Sequence, residues 1–333
     1  MNNNEFRAML VSETENKEYQ REIVTRHIND LPEGDVLINV KYSSLNYKDA
    51  LSATGNKGVT RDYPHTPGID AAGIIVESNN GTFKVGTKVL VTGYNLGMST
   101  SGGYAEYIRV PAKWIVKLPE NLSLRESMIF GTAGFTAGLS IYKLLNSGVK
   151  PSDGDILVTG STGGVGSLAI SILTKIGYDV TAATGKTSER EMLLRLGAKH
   201  IVNRTELDDN SGRALLKSRW AGVIDTVGGN MLATAIKSTN YGGSVTCCGN
   251  VASDQFSSSV YPFILKGVSL FGIDSGKCPM DIRIKIWNKL SSDWKPDNLD
   301  VNVSEVSLNG LSEKIDMILS GKHKGRTIIN LDL

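Results

Sequence analysis

Two stretches of the chain gather residue types that can do chemistry. The first is SLNYKD, Ser44–Asp49, where an amide, a phenol, an ammonium and a carboxylate follow one another. Such a corner can be catalytic, or it can be only a turn with a helix cap, and the residues alone leave both open. The second is DILVTGSTGGVGS, Asp155–Ser167, in which an apolar strand runs into Gly160-x-x-Gly163-x-x-Gly166 and a helix-like pattern follows. Glycines there permit a tight turn and let the backbone N–H groups of Thr162, Gly163, Gly164 and Val165 approach a pyrophosphate, with the positive end of a helix behind them. This strand–turn–helix variant of the dinucleotide fingerprint predicts a bound nicotinamide dinucleotide.

The second strand of the same region, DVTAAT, ends in Thr184-Gly185-Lys186-Thr187-Ser188. A site for NAD places an acid at that point to hold the ribose hydroxyls. Here Lys186, Ser188 and Arg190 stand instead, with Arg204 after the third strand, and cations with hydroxyls suit a 2′-phosphate. NADPH is therefore the expected cofactor.

These residues need a scaffold, and the pattern along the chain supplies one. AAGIIVES, KVLVTG, YAEYIRV and WIVKLP read as short strands separated by Gly, Pro and Asn, which predicts a β-rich domain. GTAGFTAGLSIYKLL reads as a helix, and from DILVTG to SLFGIDS strands and helices alternate, which predicts a doubly wound parallel sheet. A helix in LSEKIDMILS and a strand in GRTIINL rejoin the first domain. The expected division is residues 1–123 with 296–333, and 124–295.

Composition narrows the class. The 333 residues are 40% hydrophobic and 21% charged, with 36 glycines and a formal net charge of +2. Lys and Arg are scattered, so no nucleic-acid partner is expected. No run approaches 18 apolar residues and the N-terminus lacks a leader pattern, so a cytoplasmic protein with no membrane partner is expected. Cys247, Cys248 and Cys278 cannot form a disulfide framework. The first two read as small buried hydrophobes rather than nucleophiles.

The stretches LPEGDV, SSLNYKDAL, PGIDAAG, GTAGFTA, TGSTGGVGS, AGVIDTVGG, NYGG and GRT, in this order and spacing, resemble the medium-chain dehydrogenase/reductase family. Within it the chain is similar to the acrylyl-CoA reductase and quinone oxidoreductase (YhdH/YhfP-like) group. The resemblance implies an α/β fold made of a GroES-like catalytic domain and a Rossmann domain, and a homodimer; an edge strand such as VSLFGID is the expected element to pair across a two-fold axis. Many members hold zinc through a Cys at the corner and a His-Glu pair in the next Gly-rich segment. This chain has Asn46-Tyr47-Lys48-Asp49 and Gly68-Ile69-Asp70 instead, so no metal is expected.

The corner then becomes part of the site without a metal. Tyr47 is expected to face the nicotinamide and to hydrogen-bond a thioester or quinone oxygen as charge develops. Asn46 would add a polar contact, and Asp49 would brace the helix start. The resemblance also implies cofactor contacts from Thr132, from Gly249 and Asn250, from Asp274 and Ser275, and from Arg326. Lys57 and Arg61 form a basic loop that suits a CoA phosphate or only solvent. The expected activity is NADPH-dependent reduction of the C=C bond of an enoyl-CoA. The alternatives are quinone reduction and a cofactor-binding protein without turnover.

Overall fold

The computed structural model describes residues 4–333, and their contacts divide the chain into two units. The first takes in the chain up to Thr132, Gly276–Ile284 and Asn302–Leu333; the second is Ala133–Ser275 with Lys285–Val301.

In chain order the first unit contributes β1 (Glu5–Glu13), β2 (Tyr19–His27), β3 (Val36–Ser44), α1 (Tyr47–Ser52), β4 (Asp70–Ser78), β5 (Lys88–Thr92), β6 (Tyr107–Val110) and β7 (Val116–Lys117). The helical stretch α2 (Leu124–Asn146) crosses into the second unit. That unit continues with β8 (Ile156–Val158), α3 (Gly164–Lys175), β9 (Val180–Thr184), α4 (Arg190–Arg195), β10 (His200–Asn203) and β11 (Trp220–Asp225). It closes with α5 (Gly229–Ser238), β12 (Thr239–Cys247), α6 (Tyr261–Lys266) and β13 (Ser269–Gly272). The helix α7 (Met280–Leu290) crosses the next boundary, and β14 (Val303–Val306), α8 (Leu311–Leu319) and β15 (Arg326–Asn330) return to the first unit.

Alternation drives the first unit. Its main sheet runs β14-β15-β3-β4-β5-β7, with β6 also paired to β3, and β1 with β2 forms a separate antiparallel hairpin. Inward residues such as Ile38, Val40, Ile75, Val89, Val91 and Ile108 make one core with Tyr104 and Trp114. The second unit is a parallel sheet in the order β10-β9-β8-β11-β12-β13. Its central strands β8, β9 and β11 are buried along their whole length, as strands covered on both faces must be. Leu157, Ala183, Trp220, Val223, Leu232 and Val245 pack there.

The expected helix at Gly131 begins earlier. Ser123 N–H donates to Glu126 Oε2 (2.9 Å) and Glu126 N–H to Ser123 Oγ (3.1 Å), a capping box that starts α2 at Leu124. The helix breaks at Gly131 (φ 49°, ψ −155°), and the unit boundary follows Thr132 rather than residue 123. By length and composition α2 could cross a bilayer, which the sequence reading did not count; most of it is buried within the protein, as a core helix is.

Candidate functional site

The second unit carries a cradle at the end of β8. Gly160 has φ +59°, a conformation open to glycine, and a Cβ there would lie 2.2 Å from Thr226 Oγ1. A Cβ on Gly166 would lie 2.4 Å from Gly160 O, so the turn must close with no side chain inside it. Gly163 precedes α3, whose first N–H groups have no intrahelical partner. The floor is fixed by Asp225, fully buried, which accepts from Thr159 Oγ1 and Gly228 N–H, both at 2.8 Å. Burial pushes this carboxyl up, and those donors oppose the shift. A cradle of bare backbone donors at a helix start fits a dinucleotide pyrophosphate.

Because the strands are parallel, the segments after them lie at one edge of the sheet. Thr162–Val165 follow β8, Lys186 and Ser188 follow β9, and Arg204 follows β10. Gly249 and Asn250 follow β12, and Asp274 and Ser275 follow β13. Thr184 is buried, with Oγ1 accepting from Lys186 N–H (3.0 Å). The Arg204 guanidinium lies against Gly185, where an added Cβ would meet its Nε at 2.7 Å. Arg190 departs from expectation. It lines a depression with Thr181, Lys199, His200, Lys217 and Trp220, residues at or near the beginnings of strands, whereas Lys186 and Ser188 follow the end of β9.

The first unit holds the SLNYKD corner. Tyr47 is the first residue of α1, with 43% of its surface exposed, and its hydroxyl has no partner among the described residues. Behind it lies a buried polar knot. Asp49 accepts from Ile69 N–H (2.8 Å) and Asn46 N–H (2.9 Å), bracing the helix start as expected. Burial, and then the neighbouring Asp70 charge, raise the Asp49 carboxyl to about 7. Tyr104 is pushed well above the usual phenol range by the same burial and by Asp49.

Two expectations fail here. Asn46 is only 9% exposed, and its amide donates to Asp70 Oδ2 (2.8 Å) and Asp49 Oδ2 (3.2 Å), so it braces the corner instead of meeting substrate. Arg326 is 3% exposed, and its guanidinium donates to the carbonyls of Ile129 (2.8 Å), Leu45 (3.1 Å) and Met128 (3.3 Å). It is an internal clamp with no face left for a cofactor phosphate. Thr132 donates through N–H and Oγ1 to Asp70, so its hydroxyl hydrogen is already committed.

Asp70 is the residue the sequence reading passed over. The signal was present: one carboxylate inside the apolar strand GIDAAGIIV must find donors or a cation when buried. Lys57 pairs with Glu13 (2.9 Å) and lies 4.8 Å from the Tyr63 ring centre, which accounts for the basic loop locally. Burial and Asp225 push the Cys248 thiol up to about 12, which disfavours the thiolate. No three His, Cys, Asp or Glu converge among the described residues.

The chain is similar to known proteins along nearly its whole length. Residues 32–120 match the alcohol dehydrogenase GroES-like domain, and residues 164–292 match the zinc-binding dehydrogenase family. YhfP of Bacillus subtilis, which bears the provisional name quinone oxidoreductase, is 47% identical over 93% of this chain and 94% of its own. Its structure with NAD bound superposes with a TM-score of 0.96, at 45% identity over 98% of this chain and 99% of that one. The acrylyl-CoA reductase AcuI of Ruegeria pomeroyi is 39% identical over 98% of this chain and 99% of its own. The Salmonella enterica yhdH oxidoreductase in complex with NADP gives a TM-score of 0.95 at 39% identity, covering 98% and 99%.

Proposed function

The chain belongs to the medium-chain dehydrogenase/reductase family, and on that premise we propose that it reduces the activated C=C bond of a 2-enoyl-CoA such as acrylyl-CoA with NADPH, without zinc. The observation that carries this reading is the near full-length similarity to an acrylyl-CoA reductase. NADPH supplies the hydride for the β-carbon when bound. The backbone at Thr162–Val165 holds its pyrophosphate, and Lys186, Ser188 and Arg204 hold its 2′-phosphate. The exposed Tyr47 phenol donates a hydrogen bond to the thioester oxygen, on which negative charge develops. Asp49 and Asp70, both fully buried and saturated with N–H and O–H donors, leave no carboxylate for a metal at the corner.

Quinone reduction is the second reading, favoured by the name that YhfP bears. Steady-state NADPH oxidation with acrylyl-CoA and with 1,4-benzoquinone separates them. A kcat/KM higher with acrylyl-CoA supports the first reading, and a higher value with the quinone overturns it. Tight NADPH binding with no turnover of either would favour a binding role.

We further propose a homodimer built on the open edge of the second unit's sheet. There β13 has one unpaired side, and Val260, Tyr261, Ile264 and Leu265 of the adjoining helical segment are exposed.

A further inference from the structure

Asp70 begins β4 and is fully buried. A buried carboxylate is tolerated only when donors or a cation surround it. Asp70 has both. Its Oδ2 accepts from Ser44 Oγ (2.6 Å), Asn46 Nδ2 (2.8 Å) and Thr132 N–H (2.8 Å), and its Oδ1 from Thr132 Oγ1 (2.6 Å). The charge of Arg326 faces it, and that attraction opposes the lowering that burial imposes on the guanidinium.

The partners of this one carboxylate come from separate places in the sequence. Ser44 ends β3, and Asn46 immediately precedes α1 and Tyr47. Thr132 is the first residue after the break at Gly131, and Arg326 begins β15. The Asn46 amide nitrogen donates among Asp70 Oδ2 (2.8 Å), Asp49 Oδ2 (3.2 Å) and the Ser44 carbonyl (3.4 Å), which holds the amide between the two carboxylates. The turn that presents Tyr47 is thereby tied to the residue at which α2 resumes. Gly131 leaves no slack beside the knot: a Cβ there would lie 2.6 Å from Asp70 Oδ2 and 2.5 Å from Ser44 Oγ.

We infer that Asp70 is a positioning residue for the reduction, setting the Tyr47 corner through Asn46 and the Thr132 backbone directly with a single carboxylate. This rests on the reading of Tyr47 as the group that meets the substrate oxygen. Asp70 touches neither substrate nor cofactor in this role. It also leaves a signature in the titration of its neighbour. Asp49 is faced by Asp70, Tyr104 and Arg326, with Asn46 and Ile69 N–H donating to it. Removing the Asp70 charge removes one of the two influences that raise Asp49, so its ionisation moves to lower pH.

The test is Asp70→Asn, which keeps the volume, removes the charge and turns one acceptor into a donor facing other donors. Asn46→Ala is the second variant, which cuts the link to Tyr47 and keeps the Asp70 carboxylate while taking one amide donor from Asp70 and Asp49. In each, kcat for enoyl-CoA reduction is expected to fall about tenfold to a hundredfold, as misplacement of a reacting group does. NADPH affinity, read by fluorescence titration, stays near that of the parent. In Asp70→Asn the pH dependence of stability that Asp49 contributes, which runs up to about 7 in the parent, moves to lower pH. Folded variants, by circular dichroism and elution volume, that keep parental kcat and pH profile and lose only thermal stability overturn the inference. If Asp70→Asn does not fold, parental kcat in Asn46→Ala overturns it alone. Tyr47→Phe run alongside separates the claims. Loss of turnover in Tyr47→Phe with none in the other two overturns the positioning role only. Full turnover in Tyr47→Phe removes Tyr47 from the chemistry and overturns the reading on which the inference rests.

Discussion

At the scale of single residues, the corner depends on burial that few side chains could satisfy. Gly131 combines a positive φ with contacts at 2.5 and 2.6 Å to any added Cβ. Gly131→Ala should therefore lower stability by about 2 kcal/mol or more, seen as a fall of several degrees in Tm. Asp49 gives a pH dependence of known sign. Its folded-state value, about 7, stands above the unfolded reference of 3.8, so its contribution to stability is present below that reference. It is lost as pH rises from there through about 7, and is flat above. Urea midpoints measured from pH 4 to 8 should show this loss in the parent, and Asp49→Asn should show a shallower slope over the same range.

At the scale of elements, the cofactor edge is ordered by strand parallelism. Lys186, after β9, is the cation best placed in sequence for a 2′-phosphate, beside the Arg204 guanidinium that lies against Gly185. Lys186→Glu should weaken NADPH binding much more than NADH binding, since it sets a carboxylate against a dianion. Fluorescence titrations with both cofactors check this, and equal losses would move the phosphate elsewhere. The glycine spacing from Gly160 to Gly166, the alternating β/α pattern and the return of the C-terminal strand were legible in the sequence because each is local or periodic. The helix start at Leu124 was equally local, carried by Ser123 and Glu126, but the break at Gly131 interrupts the helical pattern, so the periodic run shows only after it. The fates of Asn46 and Arg326 were not legible, because their partners Asp70, Leu45 and Ile129 meet them only once β3, β4, β15 and α2 are assembled. The turn of Arg190 toward Lys199 and His200 is likewise a tertiary fact.

At the scale of the whole molecule, two units divide the work. One carries a glycine-lined turn at a helix start, and the other an exposed phenol beside a buried polar knot. Association through the β13 edge predicts a mass by light scattering of twice the 35.8 kDa chain, and replacing Ile264 and Leu265 with Asp should shift it toward the single chain. The central claim is that hydride passes from NADPH to the β-carbon of an enoyl-CoA. The measurement that tests it most directly is reduction of acrylyl-CoA with NADPH deuterated at nicotinamide C4, on each face in turn, followed by NMR of the product. One of the two labelled cofactors should give propionyl-CoA with a single deuterium at C3 and none at C2. Absence of deuterium from C3 with both labelled cofactors, or absence of propionyl-CoA altogether, would contradict it.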